Sequence, residues 1–198
     1  MESPTLAAFA LFVMIMTGTP GPGNLTFMAI GAASGYRTAF PVIVASQIGS
    51  IGLNFCVAFG LGHVMAQGGP LVGVFKILSM GYMTYLAWRI VSLSIKPKGT
   101  VSLPSFWEGL LIHPLSPKTW AMSLVAFTTF FAGNGLGLVE NAFILTGGFI
   151  AGGMIFHSLW AFLGVSILSI LGDGKALRFT TVAMAAGMLA ATAWAMLL

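Results

Sequence analysis

The sequence predicts an all-α membrane protein with six transmembrane helices, arranged as two inverted repeats of three helices each. Only 6% of its 198 residues are charged and 58% are hydrophobic, whereas roughly 25% of the residues in an ordinary soluble domain are charged. The apolar segments, such as residues 9–16, are apolar on every face, which favours helices over the alternating pattern of a β-barrel. This composition excludes a soluble enzyme and an intrinsically disordered chain.

Six apolar segments reach the length of about 20 residues that a transmembrane helix needs. The predicted spans are 6–34, 40–66, 71–93, 106–131, 141–171 and 176–198. Prolines interrupt the first span at 19–24 and the fourth span at 113–118.

The two halves of the chain share one pattern. Residues 5–103 and 104–198 each hold three predicted spans, and in each half the first span is the interrupted one. An odd number of spans per half places the halves in opposite orientations. This arrangement is typical of inverted-repeat transporters, in which paired interrupted helices mark the binding site. We therefore predict one transmembrane domain, 1–198, built from these two pseudo-repeats.

The basic residues of the loops predict the orientation in the membrane. Six Lys or Arg residues follow the odd-numbered spans, and none follows an even-numbered span. Because cytoplasmic loops carry an excess of basic residues, the odd-numbered loops are predicted to be cytoplasmic and both termini external. The six residues are Arg37, Arg89, Lys96, Lys98, Lys175 and Arg178.

The interruption of the first span contains Pro20, Gly21, Pro22 and Gly23, followed by Asn24. Proline lacks a backbone N–H and disfavours helical geometry in the residue before it, so helical hydrogen bonding should fail here for about one turn. A second half-helix beginning near Asn24 would direct its positive dipole end into the gap, which suits a carboxylate. The alternatives are a plain kink and a short surface turn before the main span.

The interruption of the fourth span contains Pro114, Ser116, Pro117 and Lys118. A lysine in the middle of a transmembrane helix costs roughly 2.5–3.5 kcal/mol on insertion scales, and such residues usually face a cavity or a partner. Lys118 could bind the carboxylate of a substrate or donate hydrogen bonds to the free carbonyls of the broken backbone. It could also extend to an interface if the segment is re-entrant.

Other polar residues lie inside the predicted spans. Gln47 and Ser50 share a helix face that could line a pore, whereas Asn54 is expected to hydrogen-bond between helices. His157 could relay protons or serve as a hydrogen-bonded packing residue. His113, at the second interruption, is expected to meet water.

No predicted span carries a central carboxylate, which argues against the binding of a cation by direct charge pairing. The four acidic residues lie near span ends: Glu2, Glu108, Glu140 and Asp173. The single cysteine, Cys56, lies in an apolar run, which excludes a cysteine metal site. We expect no metal and no cofactor.

Four motifs resemble those of the LysE/RhtB family of amino-acid exporters (lysine exporters and homoserine/threonine resistance translocators). The first motif is Thr19-Pro20-Gly21-Pro22, and the second is Gly35-Tyr36-Arg37 at the end of the same span. Tyr85-Leu86-Ala87-Trp88-Arg89 is similar to the family's YLxWR ending of the third span. Phe106-Trp107-Glu108-Gly109 followed by Ser116-Pro117-Lys118 is similar to the family's F-x-x-G and Asn-Pro-Lys, with Ser116 in place of Asn.

The resemblance implies an exporter of amino acids or close derivatives, driven by the proton gradient, in the bacterial inner membrane. The Phe106-Trp107 pair is closest to the cysteine and O-acetylserine exporters. The absence of a central acid favours a neutral substrate, such as threonine, homoserine or cysteine. The expected partners are this amino acid, the lipid bilayer and a second copy of the chain in a homodimer, with no nucleic acid. The residues predicted to bind substrate are Pro20, Gly21, Pro22, Gly23, Asn24, Gln47, Ser116, Pro117 and Lys118.

Two other classes of function stay open from the sequence. One is an intramembrane enzyme with a Ser34–His157 dyad, or a haem protein with His63 and His157 as ligands. The other is a membrane subunit that transports nothing itself.

Overall fold

The computed structural model describes residues 3–95, 104–171 and 174–197, which are helical and contain no β-strand. The predicted all-α class is confirmed for these residues. Lys96 and Lys98 of the loop-charge count, the acids Glu2 and Asp173, and the boundary between the predicted repeats lie outside the described residues.

Nine α-helices and one short π-helix make up the described part of the chain. The α-helices are α1 (Ser3–Gly18), α2 (Pro22–Ser34), α3 (Tyr36–Ala58), α4 (Leu61–Ala66), α5 (Pro70–Ile95), α6 (Phe106–Leu111), α7 (Pro117–Ala126), α8 (Leu138–Leu171) and α9 (Lys175–Leu197). The π-helix, Phe127–Phe131, continues directly from α7.

The first predicted span is broken, as the proline pattern indicates. Helices α1 and α2 meet at an angle of 53°. Gly21, in an extended conformation, caps α2, and Pro22 is its first residue. The second half-helix therefore begins at Pro22 rather than near Asn24, because proline has its φ angle fixed in the helical range and needs no N–H partner at this position.

The structure does not confirm the predicted number of six spans. In the described residues, four helices are long and apolar enough to cross a membrane, and the bent α1–α2 pair makes up to five. The segment 106–131 does not qualify because it is divided into α6, of 6 residues, and α7, of 10 residues. The division follows from Pro114 and Pro117, which prevent a continuous helix.

Helix α8 packs against α1, α2 and α3, and glycines allow the closest of these contacts. A Cβ atom added at Gly31 would collide with the Ala161 carbonyl, and one at Gly164 would collide with the Met28 carbonyl. The α2 and α8 backbones therefore touch directly, as is common between membrane helices. Gly35 has a different role, because its φ of 83° forms the turn between α2 and α3.

Glu108 joins α6 to α5. Its side chain accepts a hydrogen bond from the Ser105 backbone N–H at 2.6 Å and from the Tyr85 hydroxyl at 2.6 Å. An ion pair of 3.1 Å connects it to Arg89, and the Tyr82 hydroxyl donates to its backbone carbonyl. The motif that ends α5 and the motif that begins α6 are thus parts of one contact.

We predict that Gly164→Ala lowers the thermal unfolding midpoint in detergent, because the added methyl group separates α2 from α8. Overpacking of this kind typically costs about 1–3 kcal/mol. The matched control is Gly147→Ala on the same helix, where an added Cβ has no neighbour within 4 Å. Equal midpoints for the two variants would contradict the close approach of the helices.

Candidate functional site

Lys118 connects the two helix breaks. Its ammonium group donates to the Thr19 carbonyl at 3.0 Å and to the Thr19 hydroxyl at 2.9 Å, with the Pro20 carbonyl at 3.5 Å. The first turn of α7 is therefore attached to the segment between α1 and α2. This geometry matches the donation to the freed carbonyls, one of the three possibilities that the sequence left open for Lys118.

A small cavity lies at this junction, and we call it the central cavity. It is lined by Met16, Thr17, Gly21, Pro22, Gly23, Asn24, His113, Ser116, Lys118, Thr119, Met122 and His157. Its volume of about 20 Å³ is enough for one water molecule. An amino acid does not fit into this volume.

The electrostatic character of the central cavity is positive. The described residues that line it include one ammonium group, that of Lys118, and no Asp or Glu. The N-termini of α2 and α7 also contribute to its wall through Pro22 and Ser116. Helix N-termini carry unpaired N–H groups and partial positive charge, so an anionic group is favoured here.

Gly21 allows Lys118 to reach the break. A Cβ atom added at Gly21 would lie 2.8 Å from Lys118 Cδ and 3.0 Å from its Nζ. Any larger residue would therefore displace the lysine side chain. The glycine of the Thr-Pro-Gly-Pro motif is explained by this contact, since its extended backbone conformation does not itself require glycine.

Asn24 holds the carbonyl groups of the first break and fixes the tautomer of His157. Its Nδ2 donates to the carbonyls of Thr17 and Thr19, both at 2.8 Å. The amide oxygen therefore points to His157 Nδ1, 2.6 Å away. Because an amide oxygen only accepts, Nδ1 must carry the proton, which leaves Nε2 of a neutral His157 as an acceptor.

His113 is buried against His157, with 5.1 Å between the ring centroids. Its Nδ1 lies 3.3 Å from the Thr119 hydroxyl, and only 6% of the residue is exposed. The turn between α6 and α7 directs His113 into the junction, where it lines the central cavity rather than the protein surface. The sequence contains only one signal of this role, the position of His113 inside the second break.

Two tryptophans satisfy carbonyls of the breaks. Trp160 Nε1 donates to the Gly18 carbonyl at 3.0 Å, and Trp120 Nε1 donates to the Pro114 carbonyl at 2.8 Å. These contacts were not predicted from the sequence. Carbonyl groups released by the missing helical hydrogen bonds are thus paired with side chains, as a low-dielectric environment requires.

The structure places most, though not all, of the predicted binding residues at the junction. Seven of the residues proposed for binding or proton relay line the central cavity: Gly21, Pro22, Gly23, Asn24, Ser116, Lys118 and His157. Pro20 contributes its carbonyl group, whereas Pro117 lines a different cavity.

Gln47 is not part of the central cavity lining. It lies on α3 close to Gly153 of α8, where its buried Nε2 has no hydrogen-bond acceptor in the described part of the chain. Asn54, by contrast, behaves as predicted: it accepts from the Ser123 hydroxyl at 2.7 Å and so links α3 to α7.

Interrupted helices that meet around a binding cavity are typical of membrane transporters. The chain belongs to the LysE type translocator family, whose family model matches residues 13–197. At the level of the family, it is therefore a transport protein and not an enzyme.

Curated relatives support the same assignment. Cysteine/O-acetylserine efflux proteins of Escherichia coli (strain K12) and Shigella sonnei (strain Ss046) are each 27% identical to it over 132 residues. The aligned part covers 66% of this chain and 67% of each relative. No solved structure shows a significant match.

We predict that nitrogen NMR of the protein labelled with ¹⁵N-histidine shows His157 protonated on Nδ1 and unprotonated on Nε2 at neutral pH. Replacement of the acceptor in Asn24→Leu should remove this preference, and the signal of His63 serves as the internal control. A wild-type His157 protonated on Nε2 alone would contradict the assigned hydrogen bond.

Proposed function

We propose that the protein is a secondary exporter of small neutral amino acids and their derivatives in the bacterial inner membrane. The observation that carries this proposal is the central cavity, where two helix N-termini and Lys118 converge without an acidic residue among the described lining. Such a site suits a carboxylate. Cysteine, O-acetylserine, threonine and homoserine are the candidate substrates, and the names of the curated relatives favour the first two.

Substrate binding is proposed to exchange partners at the junction. The carboxylate of the substrate binds the ammonium group of Lys118. The ammonium group then no longer donates to the Thr19 carbonyl and hydroxyl. The ammonium group of the substrate then occupies the acceptors that Lys118 vacates, including the Pro20 carbonyl. A zwitterion replaces both halves of the existing contact, whereas an anion or a cation replaces only one.

A neutral substrate follows from this charge balance. A lysine or arginine substrate would bring a second cation into a cavity whose described lining already contains Lys118 and lacks a carboxylate. Burial of an unpaired charge is strongly unfavourable. The predicted preference is therefore for side chains that are small and uncharged.

Transport is proposed to occur by alternating access between the two pseudo-repeats, 5–103 and 104–198, within one transmembrane domain. In this arrangement α6 and α7 together form the fourth of six spans, and both termini face outward. Proton movement into the cell drives export, with His157 as the relay. The small volume of the central cavity fits such a cycle, in which an amino acid enters when the breaks separate.

We predict that Lys118→Gln lowers export of O-acetylserine about 10- to 100-fold, the effect expected from the loss of one charge-assisted hydrogen bond. The measurement is counterflow in proteoliposomes loaded with cysteine, O-acetylserine, homoserine, threonine or lysine. Lys175→Gln, which removes an exposed lysine at the start of α9, is the matched control. Undiminished transport by Lys118→Gln would refute the carboxylate role, and absence of wild-type transport of every neutral amino acid would refute the proposed function.

We predict that His157→Gln abolishes the stimulation of export by an acidic exterior but leaves counterflow without a pH gradient. The proton relay is lost, whereas the binding groups Lys118 and Thr19 remain. His63→Gln should respond to the gradient like the wild type. If His157→Gln keeps the full response to the gradient, protons do not pass through this residue.

A further inference from the structure

A second cavity, of about 410 Å³, lies on the other side of the second break. We call it the side cavity; its wall includes Gly62 of α4, Phe75 and Lys76 of α5, Pro117 and Trp120 of α7, and Met196 of α9. Its volume falls in the range of about 300–1,000 Å³ that ligand pockets typically have. Unlike the volume of the central cavity, this volume is large enough for an amino acid.

The walls of the side cavity are mainly apolar and aromatic. The rings of Phe75 and Trp120 meet edge to face, with centroids 5.7 Å apart. Trp120 is held in place by its hydrogen bond to the Pro114 carbonyl. An aromatic wall with few polar groups is the usual construction of a pocket for a small organic ligand.

Lys76 is the one charged residue among the described residues that line the side cavity. Its ammonium group donates to the Met196 carbonyl, in the last turn of α9. Carbonyls of a last helical turn lack partners in the helix, and their partial negative charge attracts a cation. A carboxylate carries a full negative charge, so it competes effectively for the same ammonium group.

The two cavities share one wall. Pro117 lines the side cavity, whereas Ser116 and Lys118, its neighbours in sequence, line the central cavity. A ligand that leaves the central cavity past the first turn of α7 therefore enters the side cavity. Lys76 lies near the beginning of α5 and Met196 near the end of α9, which is the external side in the proposed orientation.

We infer that the side cavity is a second binding site for an amino-acid carboxylate, located on the exit path. Lys76 binds the carboxylate after Lys118 releases it, and Phe75 and Trp120 contact the side chain of the substrate. This inference rests on the proposed export function. The substrate carboxylate thus binds first to Lys118 and then to Lys76, on opposite sides of the second break, as the substrate moves outward.

The test is a titration of tryptophan fluorescence with O-acetylserine, performed on the Lys118→Gln protein in nanodiscs. This background weakens binding in the central cavity, so that the side cavity dominates the signal. We expect a saturable signal that disappears in Lys118→Gln/Trp120→Phe, and whose midpoint rises about 10- to 100-fold in Lys118→Gln/Lys76→Gln. The control is Lys118→Gln/Lys175→Gln, whose midpoint should equal that of Lys118→Gln. Lys118→Gln/Lys76→Arg, which keeps the positive charge, should also have the midpoint of Lys118→Gln.

The chemistry of the ligand gives a second criterion. Serine should produce the signal, whereas serine methyl ester, which lacks the carboxylate, should not. An unchanged midpoint after Lys76→Gln, or an equal response to the ester, would overturn the inference. A signal that depends on the lipid composition and not on the amino acid would assign the cavity to lipid and would also overturn it. Counterflow by the wild type tests the proposed function separately, so failure of one is distinguishable from failure of the other.

Discussion

The hydrogen bonds between Lys118 and Thr19 are the interaction on which the architecture of the site depends. An unpaired backbone carbonyl in a low-dielectric environment costs several kcal/mol; Lys118 donates to the Pro20 carbonyl and adds a second donor to the Thr19 carbonyl, which also accepts from Asn24. The lysine alone would be equally unfavourable. Together they compensate each other, which requires the two breaks to lie side by side and Gly21 to leave room for the lysine side chain.

The remaining polar groups of the junction form a hydrogen-bond network that connects the first break to two histidines. Asn24 connects the Thr17 and Thr19 carbonyls to His157, which in turn lies against His113. A movement of the first break therefore changes the position of Asn24 and with it the hydrogen bond to the His157 imidazole. In the proposed cycle, displacement of Lys118 by a substrate and protonation of His157 act on the same few atoms, so binding and protonation are physically coupled.

The sequence predicted the breaks well because the effect of proline on a helix is local, and the central position of Lys118 identified it through the cost of burying a charge. It did not predict which distant side chains complete the site. Trp160 reaches Gly18 across 142 positions of the chain, and nothing in the local pattern connects them. The predicted fourth span was divided for a related reason: mean hydropathy identifies an apolar segment, while Pro114 and Pro117 determine where its helices end.

The most direct test of the central claim is an experimental structure with O-acetylserine bound. We predict that the carboxylate of the ligand contacts Lys118 Nζ, that its amino group contacts the Thr19 carbonyl, and that the direct hydrogen bond between these two residues is lost. A ligand bound elsewhere, with Lys118 still donating to Thr19, would show that the lysine only stabilises the broken helices and takes no part in transport.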